Sequence, residues 1–142
     1  LLARIGPSGL EVRETVTARR IGAHGNIDGK PPFLLPIAMP TPPEDLELLD
    51  RWYREEHVGL LLRSSSWHSI ERYEIEEASS ADWTRLMLHG VASPTVFTDP
   101  LVREAVTTPW RNRLAERAWF LAGSRQIYGR VGATAPNISE PL

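Results

Sequence analysis

Histidines are the side chains of this chain best suited to acid–base chemistry near neutral pH, because an imidazole titrates at about pH 6.5. His57 lies in the stretch DRWYREEHVGLLLRSSSWHSIERYEI, among leucines and directly before a strand-like pattern. At about 100° per residue, His57 falls on the helix face of Leu49 and Tyr53. We expect His57 to point inward, either as a general acid or base or as a core histidine bonded to a backbone carbonyl.

A second candidate, His89, lies on a predicted strand with alternating faces. One face is mixed in character and consists of Trp83, Arg85, Met87 and His89. Leu86 and Leu88 fall on the other face, which we expect to be core. The mixed face suits a cavity wall or a dimer interface. His89 is then either a second acid or base or a partly solvated residue near the strand end.

Aromatic residues and one arginine complete the expected site. Tyr53 or Tyr73 would donate a hydrogen bond to a substrate oxygen that gains negative charge. Arg85 would hold a carboxylate if it faces the pocket. The chain has 5 tryptophans, which indicate core and dimer packing, a pocket for a flat hydrophobic ligand, or both. The expected substrate-binding residues are Arg85, Trp52, Trp67, Trp83 and Met87.

No motif for a metal, a nucleotide or covalent catalysis accompanies these residues. The chain has no cysteine, no two histidines at a helical i, i+4 spacing and no His-x-His, so we expect no metal site. A P-loop and a Gly-x-Ser-x-Gly elbow are also absent from the sequence. We therefore expect no cofactor, although one inward histidine leaves haem ligation open.

Composition limits the class of protein. Lys and Arg number 16 against 18 Asp and Glu, with no basic stripe, so we expect no nucleic-acid or membrane partner. The sequence has no long apolar run and no signal-peptide pattern, and with no cysteine it favours a cytoplasmic location. The chain opens Leu-Leu-Ala-Arg, which leads us to expect that residues precede it in the natural protein.

Periodicity predicts the elements that position these residues. The apolar run FLLPIAMP predicts a strand, and a helix is expected from about Pro43 to about Arg63. Two alternating strands, SSSWHSIERYEIEE and ADWTRLMLHGVAS, follow. A helix interrupted at Pro100 and Pro109 and a last strand, SRQIYGRVG, complete the order. Residues 1–30 are expected to be a strand-like segment and loop, 31–132 the folded domain and 133–142 a tail.

That order predicts an α+β protein with the ferredoxin-like β-α-β-β-α-β layout and a four-stranded antiparallel sheet. Both helices would cover one face of the sheet. The other face would need a second subunit as cover, so we expect a homodimer.

Several segments resemble the EthD-like, dimeric α+β barrel proteins. WYREEHV at residues 52–58 matches the Trp-Tyr-x-x-Glu-His-Val stretch that this family tends to carry. Trp67 with Arg72-Tyr73, the LMLH strand and TPWR at residues 108–111 also match, in order, between about Phe33 and Val131. Two positions depart from the pattern: Gly59 and Ser65-Ser66 stand where relatives often have Pro and Pro-Gly. The opening segment also resembles the closing one, as it would if it ended a preceding repeat.

The resemblance implies a homodimer packed sheet to sheet, with a pocket between sheet and helices in each unit. It also implies a cofactor-independent lyase, cyclase or monooxygenase of secondary metabolism. Such an enzyme would cyclise, decarboxylate or oxygenate an aromatic or polyketide-like substrate, with His57 or His89 as the general acid or base. The alternative is a non-catalytic small-molecule-binding or accessory protein. The two hypotheses differ in whether His57 and His89 open onto one common cavity.

Overall fold

The computed structural model describes residues 15–79 and 81–130. Its strands pair in one antiparallel sheet in the order β1-β3-β4-β2-β5, with β6 also paired to β2. The strands are β1 (Val16–Gly25), β2 (Phe33–Met39), β3 (Trp67–Ala78), β4 (Arg85–Val91), β5 (Ser124–Arg125) and β6 (Tyr128–Gly129). The described part of the chain is therefore a mixed α+β structure, as predicted.

Short helices connect the strands and begin where proline and capping residues predict. They are α1 (Leu46–Trp52), α2 (Val58–Leu61), α3 (Pro100–Ala105), α4 (Pro109–Leu114) and α5 (Ala118–Leu121). A 3₁₀ turn at Pro43–Asp45 leads into α1, and a π turn at Tyr53–His57 joins α1 to α2. The predicted interruption at Pro100 and Pro109 is confirmed, since each proline is the first residue of a new helix.

The prediction of a four-stranded sheet is wrong, because the sheet has six strands. The additional edge strand, β1, comes from the opening segment. It pairs along most of the outer edge of β3 and thereby satisfies backbone groups that would otherwise be exposed. Ion pairs from Arg19 to Glu74 and from Arg20 to Glu71 join the two strands. Residues 1–14 of the opening segment and the predicted tail, 133–142, lie outside the described residues.

Pro36 explains why the last predicted strand is split in two. The pairs Ile37–Arg125 and Ala38–Ser124 join β2 to β5, whereas β6 pairs with Phe33 and Leu34. The outer strand is thus interrupted opposite Leu35 and Pro36. Proline has no N–H with which to extend a ladder, so two short strands replace one long strand at this edge.

The helices cover the sheet face that carries Met87, His89 and Val91 of β4. Met87 and Val91 belong to the buried core together with Phe33, Leu35, Ile37 and Met39 of β2. Leu86 and Leu88 occupy the opposite face and lie outside that core cluster, with Leu88 only half-buried. The expectation of burial is confirmed for Leu86 and is wrong for Leu88. The main core lies on the mixed face of β4, because that face is the one beneath the helices. No helix within residues 15–79 and 81–130 is long and apolar enough to cross a membrane.

Candidate active site

A cavity of about 270 Å³ lies between the sheet and the helices. This volume is close to the lower end of the range of about 300–1,000 Å³ that is usual for small-molecule sites. Much of its wall is aromatic, with Trp52, Trp67, Phe97 and Phe120, and its polar lining residues are Tyr53, His57, His89, Arg111 and Arg125. The cavity lining therefore combines aromatic surface with a few polar groups.

The π turn Tyr53–His57 places two of these polar side chains on the cavity. Both residues are buried, and their rings meet edge to face with centroids 5.0 Å apart. Single π turns inside α-helices are rare and are frequent at functional sites. The inward direction predicted for His57 is confirmed.

His57 has an imidazole nitrogen without a partner in the part of the chain that the structure describes. Its ring stacks on Trp52 at a centroid distance of 4.0 Å, and its Nδ1 atom accepts or donates no hydrogen bond there. Burial lowers the pKa of His57 well below its usual value, with a smaller contribution from the charge of His89, while a backbone hydrogen bond at Ala105 acts in the opposite direction. His57 is therefore neutral at pH 7 and lines the cavity, and its unpaired Nδ1 is itself a buried atom.

His89 is bonded at both ring nitrogens. Its Nδ1 lies 3.1 Å from the carbonyl oxygen of Leu35, and because a carbonyl only accepts, this nitrogen carries the proton. Nε2 is then the acceptor, 3.4 Å from the hydroxyl of Tyr53. Burial lowers the pKa of His89 to about 4, and it raises the pKa of Tyr53. The pair at neutral pH is thus a phenol that donates weakly to a neutral imidazole.

Glu56 positions the aromatic wall. One of its carboxylate oxygens, Oε2, accepts hydrogen bonds from the Trp52 indole at 2.9 Å and from the Thr108 hydroxyl at 2.7 Å. Thr108 in turn caps α4 by accepting a hydrogen bond from the backbone N–H of Arg111 at 3.1 Å. One carboxylate therefore connects the indole beneath His57 to the helix that carries Arg111.

Five of the nine residues expected at the site line this cavity: Trp52, Tyr53, His57, Trp67 and His89. Tyr73 lies on the opposite sheet face, where its hydroxyl donates to Glu71 at 3.2 Å. Met87 packs within the core, and Trp83 precedes β4. Neither Trp83 nor Met87 lines the cavity.

Arg85 also lies away from the cavity. Its Nε and Nη2 atoms donate to the two carboxylate oxygens of Asp50 at 2.9 and 2.7 Å. Arg72, which is also buried, approaches the same carboxylate at 4.0 Å. Arg85 therefore holds α1 against the sheet, and the condition for its predicted role in binding a substrate carboxylate is not met.

Sequence reasoning missed eight lining residues: Ile37, Met39, Leu61, Phe97, Val106, Arg111, Phe120 and Arg125. Arg111 had one available signal, since it directly follows the cap and proline of a predicted helix start in TPWR. Arg125 had none, because only the packing of α5 and β5 against β2 brings it to the cavity.

No cluster of three or more histidine, aspartate and glutamate side chains suited to a metal ion occurs within residues 15–79 and 81–130. Comparisons with protein-family models, with curated proteins and with solved structures gave no match to this chain. The EthD-like resemblance therefore stays a prediction from sequence motifs. Function has to be argued from the cavity itself.

Proposed function

We propose that this protein is a cofactor-independent enzyme that moves a proton on a flat aromatic or polyketide-like molecule, as the EthD-like resemblance implies. One observation carries the proposal: His57 and His89 line the same cavity, and Tyr53 contacts both rings. This shared opening is what separates a catalytic pair from two unrelated core histidines. The aromatic walls supply a complementary surface for a planar ring.

In the proposed reaction, His57 is the base. A turn of the ring brings its unpaired Nδ1, which is a buried atom in the structure, to the substrate. There Nδ1 removes a proton from a carbon next to a substrate carbonyl, and the electrons of that C–H bond pass to the carbonyl oxygen as an enolate. The protonated Tyr53 hydroxyl donates to this oxygen, with His89 orienting the phenol from behind. The 3.4 Å separation between Tyr53 and His89 is long for a hydrogen bond, so a substrate oxygen competes well for that hydroxyl.

A non-catalytic binding protein is the second candidate, and one observation favours it. Both nitrogens of His89 are engaged within the protein, and burial lowers its pKa to about 4. A base that weak removes protons slowly at neutral pH. If His57 is equally ineffective, the same cavity would hold a metabolite without changing it.

We also propose the finer features of the fold. β4 lies between β2 and β3, and the α1–α2 helical segment connects those two strands, as in the split β-α-β unit of ferredoxin-like proteins. In this interpretation β1 is an addition at the edge. The opposite sheet face, on which Leu88 is only half-buried, then contacts a second copy of the chain as a homodimer.

Turnover of candidate substrates by His57→Gln tests the catalytic proposal. 1-Tetralone and 2-tetralone, incubated with the protein in D2O and followed by mass spectrometry for exchange of the protons next to the carbonyl, provide the assay. We expect a fall in turnover of at least about 100-fold, in the range typical of a lost general base. His68→Gln is the matched control, because His68 does not line the cavity.

Binding of the same compounds distinguishes the two candidates. Retained binding with lost turnover in His57→Gln supports catalysis by His57. Equal turnover in His57→Gln and wild type would remove His57 from the mechanism. Binding by wild type without any product would favour the non-catalytic candidate.

A further inference from the structure

Arg111 and Arg125 line the cavity without an acidic partner in the described part of the chain. The guanidinium carbon of Arg111 lies 5.3 Å from the centroid of the Phe120 ring, and that of Arg125 lies 5.5 Å from it. Arg125 also donates to the carbonyls of Phe120 at 2.8 Å and Gly123 at 3.3 Å. A ring face and carbonyl oxygens attract a cation but do not neutralise it.

Two other arginines, which are buried, do have an acidic partner. Arg72 and Arg85 share the carboxylate of Asp50 at distances of 4.0 and 2.7 Å. None of the residues lining the cavity is acidic. The cavity wall is therefore positively charged, and no carboxylate in the described part of the chain neutralises it.

The arginines and the proposed reactive residues lie at different depths in the cavity. Arg125 and Phe97 are exposed, whereas Tyr53 and His89 are buried at the inner end. The arginine charges still reach that inner end, because Arg111 lowers the pKa of His57 and Arg125 lowers that of His89. A ligand that spans the cavity would meet guanidinium groups near the opening and imidazoles inside.

We propose that the cavity takes a planar aromatic carboxylate, whose carboxylate binds Arg111 and Arg125 and whose ring lies among Trp52, Trp67 and Phe120. Arg111, stacked on an aromatic ring, keeps its N–H edge available for a carboxylate, and Arg125 keeps three of its five N–H groups after donating to Phe120 and Gly123. The inference rests on the proposed function, since it names the substrate class of the same cavity. The carboxylate-binding role predicted for Arg85 thus passes to two residues on α4 and β5.

Carboxylate binding has a consequence for the base. Burial is the main cause of the lowered pKa of His57, and an anion between the two guanidiniums would offset the smaller contribution of Arg111. The pKa of His57 should therefore rise when a carboxylate ligand binds, and the imidazole becomes a stronger base only in the complex. A neutral ligand of the same shape would not produce this rise.

Calorimetric titration with 2-naphthoate and its methyl ester tests the proposal. The two probes share the ring system and differ in charge. We expect wild type to bind 2-naphthoate at least about tenfold more tightly than the ester, in line with hydrogen bonds to charged groups. Arg111→Gln and Arg125→Gln should each lose about tenfold in naphthoate affinity and leave ester affinity unchanged.

Arg113→Gln is the matched control, because Arg113 is on the same helix but is exposed and outside the cavity. Circular dichroism checks that each variant is folded, and NMR titration of the His57 ring with and without naphthoate gives an independent readout. The expected upward shift in the His57 pKa should be absent with the ester.

Four results would overturn the inference. Equal affinity for the two probes, or unchanged naphthoate affinity in both arginine variants, would contradict the carboxylate while leaving the aromatic cavity and the proposed function in place. Stronger binding of 2-naphthyl phosphate than of 2-naphthoate would replace the carboxylate with a phosphate. Binding of none of the three probes would contradict the inference and the proposed function together.

Discussion

The imidazoles of His57 and His89 differ in what they can do, although burial lowers the pKa of both. Hydrogen bonds to Leu35 and Tyr53 occupy His89, which makes it an orienting group. His57 has an unpaired Nδ1 in the described structure and touches the cavity. A buried polar atom without a partner costs about 1–3 kcal/mol, a cost that a bound ligand would relieve. In the proposed function, this difference is the reason for giving proton transfer to His57 rather than to His89.

The lowered pKa of His89 predicts a pH dependence of stability. Its pKa is about 4 in the folded state and 6.5 when exposed. Between these values the unfolded chain binds the proton and the folded chain does not. The contribution of His89 to stability is therefore complete above about pH 6.5 and is lost as the pH falls toward 4. Its size is on the order of 3 kcal/mol.

Urea unfolding of wild type and His89→Gln between pH 4 and 7 measures this contribution. We expect the free energy of unfolding to fall less steeply with decreasing pH in the variant, because His57 and the carboxylates remain in both proteins and their effects cancel in the comparison. Parallel pH profiles would show that His89 does not titrate with the stated shift.

Among the elements, the helical segment from Leu46 to Leu61 determines the geometry of the site. Its π turn sets Tyr53 and His57 against the cavity, and Glu56 joins the indole of Trp52 to Thr108 at the start of α4. Helix periodicity predicted the inward side of this segment, because direction along a helix is a local property. The link to Thr108 could not be predicted, since it joins residues 52 positions apart.

The sheet face opposite the helices allows a test of the proposed homodimer. Leu88 is half-buried there and is flanked in register by Pro36 and Glu71. If a second copy packs on this face, Leu88→Glu places a charge in an apolar contact and should shift the protein from dimer to monomer. Size-exclusion chromatography with light scattering measures the mass.

Leu121→Glu is the control for this change. Leu121 is 63% exposed at the end of α5, away from the sheet face, so the same substitution there should leave the mass unchanged. A wild-type protein that is monomeric at all concentrations would contradict the homodimer. A dimer that survives Leu88→Glu would move the interface to another surface.

At the scale of the whole molecule, local signals were predictable and long-range ones were not. Pro43, Pro100 and Pro109 marked helix starts because proline constrains its own backbone. Leu88 was wrongly expected in the core, because the helices pack on the less apolar face of β4. Tertiary contacts decide that choice, and the sequence of one strand does not contain them.

The same distinction between local signals and long-range contacts applies to the cavity residues. Its histidines and tyrosine come from patterns within one helix or one strand, and these could be proposed from the sequence. Its arginines depend on how α4, α5 and β5 fold back onto β2, which brings Arg125 beside Ile37 in register. Arg85 and Arg111 both lie near the ends of predicted elements. Only tertiary packing decides that Arg85 forms a structural ion pair and that Arg111 lines the cavity.

A crystal structure of the protein with 2-naphthoate tests the central claim most directly. That claim is that His57, His89 and Tyr53 face one cavity that receives a flat aromatic ligand. We predict the ring in the cavity against Trp52 and Phe120, with His57 Nδ1 facing the ligand. A ligand bound elsewhere, or a cavity closed by Trp52 with His57 bonded only to protein groups, would contradict the account.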